Sequence, residues 1–257
     1  MRRLIVTMLV VAMLPAAARA DWSPGDTHMM HWPQLPDETR YGLDVQAMSS
    51  PDSMVISLAD DWLCTESGPV ADIHIWGSWL SDQVGQPTFW LDIWTDMPAD
   101  QSPTGYSIPW ERLWGDSYYT GEYRARHYAT AEPPELFYDP CNDAIVGADT
   151  QIWQYNFRID PDEALWQQEG QIYWLVLTVA VEDETLFGWK TSGVEHFGDD
   201  AVWSDNPYEM GPCWFELHNP NTGDSLDLAF VITPEPATMA LLGLGLAGLA
   251  ARRKRTK

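Results

Sequence analysis

The chain has 257 residues, with 38 acidic and 14 basic side chains, a formal net charge of −24 and an isoelectric point near 4.2. Charge of this sign excludes nucleic-acid binding through phosphate contacts, and it predicts repulsion from anionic lipid and anionic polysaccharide unless cations bridge them. Turn formers and apolar runs divide the chain into a leader (1–20), a body (21–233) and a tail (234–257). The body alone carries six basic and 37 acidic residues, a formal charge of about −31.

The leader has the three parts of a secretory signal peptide. Arg2 and Arg3 precede an apolar run from Leu4 to Leu14, and Ala18 and Ala20 provide an A-x-A cleavage site. We therefore predict cleavage after Ala20 and export of the body.

The sequence of the body predicts a series of short strands. Residues 21–53 are rich in proline and turn formers, which predicts an irregular lead-in. Strands are predicted at 55–58 and 71–80, and 88–95 alternates apolar and polar residues strictly. The later strand candidates are 121–128, 152–159, 171–181 and 226–233.

Two of these segments indicate how the strands are arranged. Residues 152–159 place Trp153, Tyr155 and Phe157 on one face, which predicts a half-buried strand. Residues 171–181 are apolar on both faces and predict a central strand. At most one or two helical turns are expected, near residues 162–168. Six to nine strands separated by turns predict an all-β body with an antiparallel β-sandwich or jelly-roll architecture.

All fifteen tryptophans lie in the body, and tryptophan both packs cores and stacks on sugar rings. The candidates for an exposed carbohydrate platform are Trp76, Trp79, Trp90 and Trp94. Trp90 and Trp94 share a strand face with Asp92, as in a sugar-stacking surface with one polar anchor. Core packing against a second sheet explains the same residues and is the favoured interpretation.

Two pairs of acids, Asp60 with Asp61 and Asp199 with Asp200, could supply oxygen ligands to a structural calcium ion. Neither pair matches a defined calcium loop, so solvated turn acids or strand-end caps are the favoured alternative, and no other cofactor is predicted. The sequence has no GxSxG, HExxH or P-loop motif. We therefore predict that the protein is not an enzyme, and a polysaccharide hydrolase is the least supported alternative.

The body has three cysteines and no CxxC pair, which argues against a zinc cluster. In an oxidising compartment two of them could pair, and the prediction is a Cys141–Cys213 disulfide with Cys64 left over. His28 and His31 have HxxH spacing, but they lie in the lead-in, where metal binding is the minor interpretation.

The tail consists of Pro234-Glu235-Pro236, an uncharged apolar segment at 237–251 and a basic end at 252–257. As a helix the apolar segment spans roughly 22 Å, somewhat short of the ~30 Å hydrocarbon core, and its basic end should stay cytoplasmic. These parts, in this order, resemble the PEP-CTERM sorting signal of Gram-negative bacteria that make exopolysaccharide. The resemblance implies processing by an exosortase, after transient anchoring in the cytoplasmic membrane by a transmembrane helix. The expected destination is the cell surface or extracellular matrix.

The body also resembles an uncharacterised domain found in exported proteins with this tail. The segments that carry this resemblance are 58–64, 72–79, 199–203 and 227–232. The resemblance implies an export context and no mechanism. The prediction is a non-catalytic surface or matrix protein with a structural or adhesive role, and the alternative is a carbohydrate-binding module. The expected partners are the exosortase, the secretion machinery and exopolysaccharide.

Overall fold

The computed structural model describes residues 22–24, 33–49, 55–182, 184–193, 198–208 and 213–234. Within these ranges the chain forms thirteen strands and one short 3-10 turn, Leu80–Asp82, and no helix is long and apolar enough to cross a membrane. The leader, His28 and His31, and the tail beyond Pro234 lie outside the described residues. The strands are β1 Leu43–Ser49, β2 Val55–Leu63, β3 Gly68–Trp79, β4 Pro87–Met97, β5 Ile108–Tyr118, β6 Arg124–Asp139, β7 Ala144–Arg158, β8 Trp166–Gln167, β9 Ile172–Val181, β10 Phe187–Lys190, β11 Val202–Ser204, β12 Phe215–Glu216 and β13 Phe230–Pro234.

The strands form two layers that share β1. One layer contains β2, β9, β4 and β5, with β11 and β12 beside β2, and the other contains β13, β3, β7 and β6 with β10. β1 pairs with β10 and β6 through Leu43–Ala47 and then with β2 through Met48 and Ser49. Nearly all pairings are antiparallel, so the predicted all-β antiparallel class is confirmed.

The main core lies between the layers. Phe89, Leu91 and Ile93 of β4 are fully buried there, as the alternation of residues 88–95 predicts. The Phe89 ring lies 5.1 Å from Phe157 of β7 and 5.2 Å from Phe187 of β10, in edge-to-face contacts that join the two layers. The predicted central strand is also confirmed, because β9 lies between β2 and β4.

Several sequence expectations fail at specific places. β1 lies within the segment predicted to be irregular, and thirteen strands replace the six to nine expected. Residues 162–168 contain a turn and β8 instead of helical turns. β6 begins at Arg124 and extends to Asp139, because it pairs along most of its length with β7 in a long hairpin.

Five strands of the second layer close into a ring. β3 pairs with both β7 and β10, β10 with β1, β1 with β6, and β6 with β7. The ring brings together residues that are distant in sequence: Asp44 lies opposite Lys190, and Glu135 lies opposite Asp149.

Candidate functional site

A groove lies on the outer face of β4 and β5. It consists of two depressions of about 430 Å³ and 540 Å³, and Trp90 lines both. The first also contains Asp92, Arg112 and Tyr208, and the second extends along Thr88 towards the end of β9. Each volume falls in the range of small-ligand sites. We call this feature the Trp90 groove.

The polar centre of the Trp90 groove is Asp92, whose side chain is 3% exposed. Its Oδ1 accepts hydrogen bonds from Arg112 Nε at 2.8 Å and Nη2 at 2.6 Å. Its Oδ2 accepts a hydrogen bond from the Tyr208 hydroxyl at 2.8 Å. The Arg112 side chain remains 50% exposed, so part of the guanidinium faces the groove. The carboxylate therefore fixes the positions of two exposed donors.

Gly115 makes this arrangement possible on the edge strand β5. A Cβ at this position would collide with Asp92 Oδ1 and Arg112 Nη2. The β4–β5 pairing is also irregular on both sides of Trp94. Such irregularities re-aim side chains, and they are common next to functional sites.

The loop that follows β11 supplies the other wall. Tyr208 and Trp214 lie 6.1 Å and 6.4 Å from the Trp94 ring, and they cover it. Burial and the neighbouring Asp92 charge raise the pKa of Tyr208, so its hydroxyl stays protonated and donates to that carboxylate.

The structure corrects most of the predicted carbohydrate platform. Trp76 and Trp79 are fully buried, and Trp94 is only 7% exposed. Trp76 packs beneath Trp22, and Trp79 lies in the main core. Trp90 alone of the four lines an open site. Chain segments distant in sequence cover the other three, which local alternation cannot reveal.

Among the tryptophans that the structure describes, the two most exposed are ones that the sequence analysis did not single out. Trp166 of β8 is 64% exposed and Trp110 of β5 is 48% exposed. No local pattern distinguishes them from core tryptophans, because their exposure follows from their places in the sheets: β5 is an edge strand and, among the described strands, the short β8 pairs with β3 alone.

The predicted calcium ligands do not converge. Asp60 faces the inner side of β2, where its Oδ2 accepts hydrogen bonds from Gln34 Nε2 at 2.7 Å and from the Leu228 N–H at 2.6 Å. Asp61, the next strand residue, faces the opposite side and lies near Asp199. Both carboxyls are buried, not solvated, and burial and neighbouring acids raise their pKa values. Asp199 Oδ2 instead accepts a hydrogen bond from the Ser107 N–H, and Asp200 is partly exposed.

Among the described residues, three other carboxylates converge within 4.8 Å of one another: Asp44, Glu135 and Asp149. All three are buried in the five-strand ring, together with Lys190. Lys190 Nζ lies 2.9 Å from Glu135 Oε2 and 3.8 Å from Asp44 Oδ2. Sequence reasoning missed this group, since its members come from four strands and share no motif.

Burial dominates the titration of these acids. It raises the pKa of Glu135 to about 7, against the opposing attraction of Lys190. Burial, reinforced by the Asp44 charge, raises the pKa of Asp149 to about 9. At neutral pH Asp149 therefore holds a proton, while Glu135 is near the midpoint of its titration.

The Cys141–Cys213 disulfide does not form in this structure, and all three cysteines are free. Cys213 Sγ donates a hydrogen bond to the Asn206 carbonyl at 3.0 Å. Cys141 lies exposed at the turn between β6 and β7, where its N–H donates to Asp139 Oδ1 at 3.0 Å. Each cysteine is thus held by its own loop.

Comparison with known proteins gives two family matches. Residues 233–255 match the PEP-CTERM protein-sorting motif, and residues 30–233 match a family described as a domain of unknown function, DUF7901. No curated protein and no solved structure matches the chain. The sorting motif indicates an exported protein that an exosortase processes after transient membrane anchoring. The chain therefore belongs to the DUF7901 family and carries a PEP-CTERM sorting motif, which confirms both resemblances.

Proposed function

We propose that the protein is a non-catalytic adhesive component of the cell surface or extracellular matrix, and that it holds a neutral polysaccharide in the Trp90 groove. The observation that carries this proposal is the position of Trp90. This half-buried indole lies between two depressions, beside polar groups that Asp92 holds in place.

Sugar recognition needs an aromatic face and fixed polar groups beside it. Apolar faces of pyranose rings stack on indoles, while hydroxyls exchange hydrogen bonds with side chains such as Arg112, Ser117 and Thr88. Two depressions that share Trp90 on one sheet face offer neighbouring subsites for successive sugar units, which suits a polymer better than a small metabolite.

The negative charge of the body argues against an anionic polysaccharide as the ligand. A formal charge of about −31 repels uronic-acid and sulfated polymers. Arg112 does not reverse this locally, because Asp92 neutralises it and Asp116 also lines the groove. A neutral glycan is therefore the expected ligand.

The groove offers little support for hydrolysis. Asp92 accepts three hydrogen bonds from Arg112 and Tyr208, and a carboxylate engaged in this way serves as a structural anchor. Glycosidases use two carboxyl groups that face each other across the scissile bond. The second acid of the groove, Asp116, accepts a hydrogen bond from the Ser117 N–H at 2.7 Å, so it too is engaged with the protein. This supports a binding role over a catalytic one.

Binding can be tested with full-length protein against a panel of neutral and anionic polysaccharides, by affinity electrophoresis and isothermal titration calorimetry. We expect binding to a neutral polymer and its loss in Trp90→Ala. The matched control is Trp166→Ala, which removes a more exposed indole on β8, outside the groove. If folded protein binds no neutral glycan, or if both variants weaken binding equally, the assignment to the Trp90 groove is wrong.

A further inference from the structure

Lys190 is the only lysine in the body, and it is fully buried. Every other basic residue of the body is an arginine. Lysine is rarely buried, because its charge loses hydration and its long side chain loses conformational freedom. The fold nevertheless places this amine at the end of β10, inside the five-strand ring.

Asp44 and Glu135 contact the amine from two other strands of the ring. Asp44 is the cross-strand partner of Lys190 on β1, and its Oδ2 lies 3.8 Å from Nζ. Glu135 Oε2 on β6 lies 2.9 Å from Nζ. All three side chains are fully buried. The chain at Gly42 closes over the amine, since a Cβ there would collide with Nζ.

We propose that Lys190 and Asp44 condense to an intramolecular isopeptide bond, with Glu135 as the proton-transfer group. Lys190 Nζ first gives a proton to the Glu135 carboxylate and then attacks Cγ of Asp44. The C–N bond forms, a carboxyl C–O bond breaks, and the leaving oxygen takes up protons from the amine and Glu135 and departs as water. The ammonium and carboxylate become one amide and one water, so no oxidant or other reactant is needed.

The environment favours each part of this step. Lys190 Nζ lies 3.8 Å from Oδ2 of the carboxyl whose carbon it would attack, so a small movement brings it to the separation of about 3–3.5 Å at which reacting atoms attack. Glu135, whose pKa burial raises to about 7, can accept a proton and return it near neutral pH. The product is a neutral amide, so condensation removes two charges whose burial is costly.

The bond would also give an exported domain a covalent tie that its cysteines do not provide. All three cysteines are free, and Cys141 is exposed. Asp44 and Lys190 are 146 positions apart in a body of 213 residues, so their amide would close a loop through most of the fold. A cross-link of this length restricts the unfolded chain strongly.

Tryptic peptide mapping of denatured full-length protein by mass spectrometry tests the proposal, since lysines and arginines are few. Asp44 lies in peptide 41–112, Glu135 and Asp149 lie in 127–158, and Lys190 ends peptide 159–190. We expect no cleavage after Lys190, because trypsin does not cut at an acylated lysine. Peptide 41–112 should be joined to the peptide that begins at Ile159, with the loss of one water.

Two results would overturn the proposal. One is complete cleavage after Lys190 with peptide 41–112 recovered alone at its full mass. The other is a link from Lys190 to peptide 127–158, which would show that Asp44 is not the acceptor. Glu135→Gln tests the proton-transfer role: we expect both unlinked peptides from folded variant protein, whereas linkage equal to that of the wild type contradicts the role. The wild-type map remains decisive if this variant does not fold.

Discussion

Replacement of Asp149 by asparagine is expected to stabilise the protein at neutral and alkaline pH. Asp149 is 2% exposed and lies within the ring beside Asp44 and Glu135. Burial is the main cause that raises its pKa from 3.8 in the unfolded chain to about 9 in the fold; Asp44 raises this pKa and Lys190 lowers it, so their condensation would remove two opposing effects. Asparagine has nearly the same shape as the protonated acid and does not ionise.

The sign of the effect follows from proton binding. Between the two pKa values the folded protein holds a proton that the unfolded chain has released, so the free energy of unfolding falls as pH rises. The contribution of the Asp149 proton to the free energy of unfolding is therefore fully present below about pH 4 and is lost by about pH 9. At neutral pH the carboxyl is about three pH units above its unfolded pKa, at about 1.4 kcal/mol per unit. The loss relative to about pH 4 and below is therefore on the order of 4 kcal/mol, of which roughly 3 kcal/mol falls between about pH 5 and about pH 7.

Denaturant unfolding at about pH 5, about pH 7 and about pH 9 measures this term. Asp149→Asn should have a flatter dependence on pH than the wild type, with its largest advantage at the alkaline end. The matched control is Asp100→Asn, which removes an exposed acid and should leave the slope unchanged. If Asp149→Asn keeps the wild-type slope, or is less stable than the wild type at about pH 9, then the carboxyl is not held protonated by burial.

Three further outcomes are expected. Phe89→Ala should lower the free energy of unfolding by about 3–5 kcal/mol in denaturant titrations, because it opens a cavity where both layers meet. The control is Leu136→Ala, which should lower it much less because Leu136 is partly exposed. Gly198→Ala should lower the melting temperature, since its φ is 68° and a Cβ would lie 2.6 Å from Asp61 Oδ2; an unchanged melting temperature would contradict this close approach. Deletion of Pro234–Pro236 should leave an unprocessed, membrane-bound chain in fractionation blots, and normal processing would refute the role of the motif.

Strands could be predicted from the sequence where apolar and polar residues alternate, because only one face of such a strand packs against the main core. Residues 88–95 and 152–159 show this, because Phe89 and Phe157 face the shared interior as their period of two requires. The expectation that the opposite face of a strand is exposed to solvent fails for some of these strands. Gln154 lies on such a face and is fully buried, and its Nε2 donates a hydrogen bond to the Trp22 carbonyl at 3.1 Å. Trp22 is far from Gln154 in sequence, so local alternation does not predict this burial.

The candidate site divides in the same way. The sequence identified Trp90 beside Asp92 on one face of β4, since neighbours at a spacing of two share a face. It could not identify Arg112 or Tyr208 as the partners of Asp92, because Arg112 lies on a different strand and Tyr208 lies in a distant loop.

The sequence by itself determined the all-β class and the PEP-CTERM motif, because periodicity and short linear signals are local properties of the chain. Only the tertiary structure decided which tryptophan stays open and where the acids meet. Closure of the ring places Asp44, Glu135 and Asp149 around Lys190, a set that spans most of the body. Such convergence depends on strand pairing between distant segments, which local pattern does not encode.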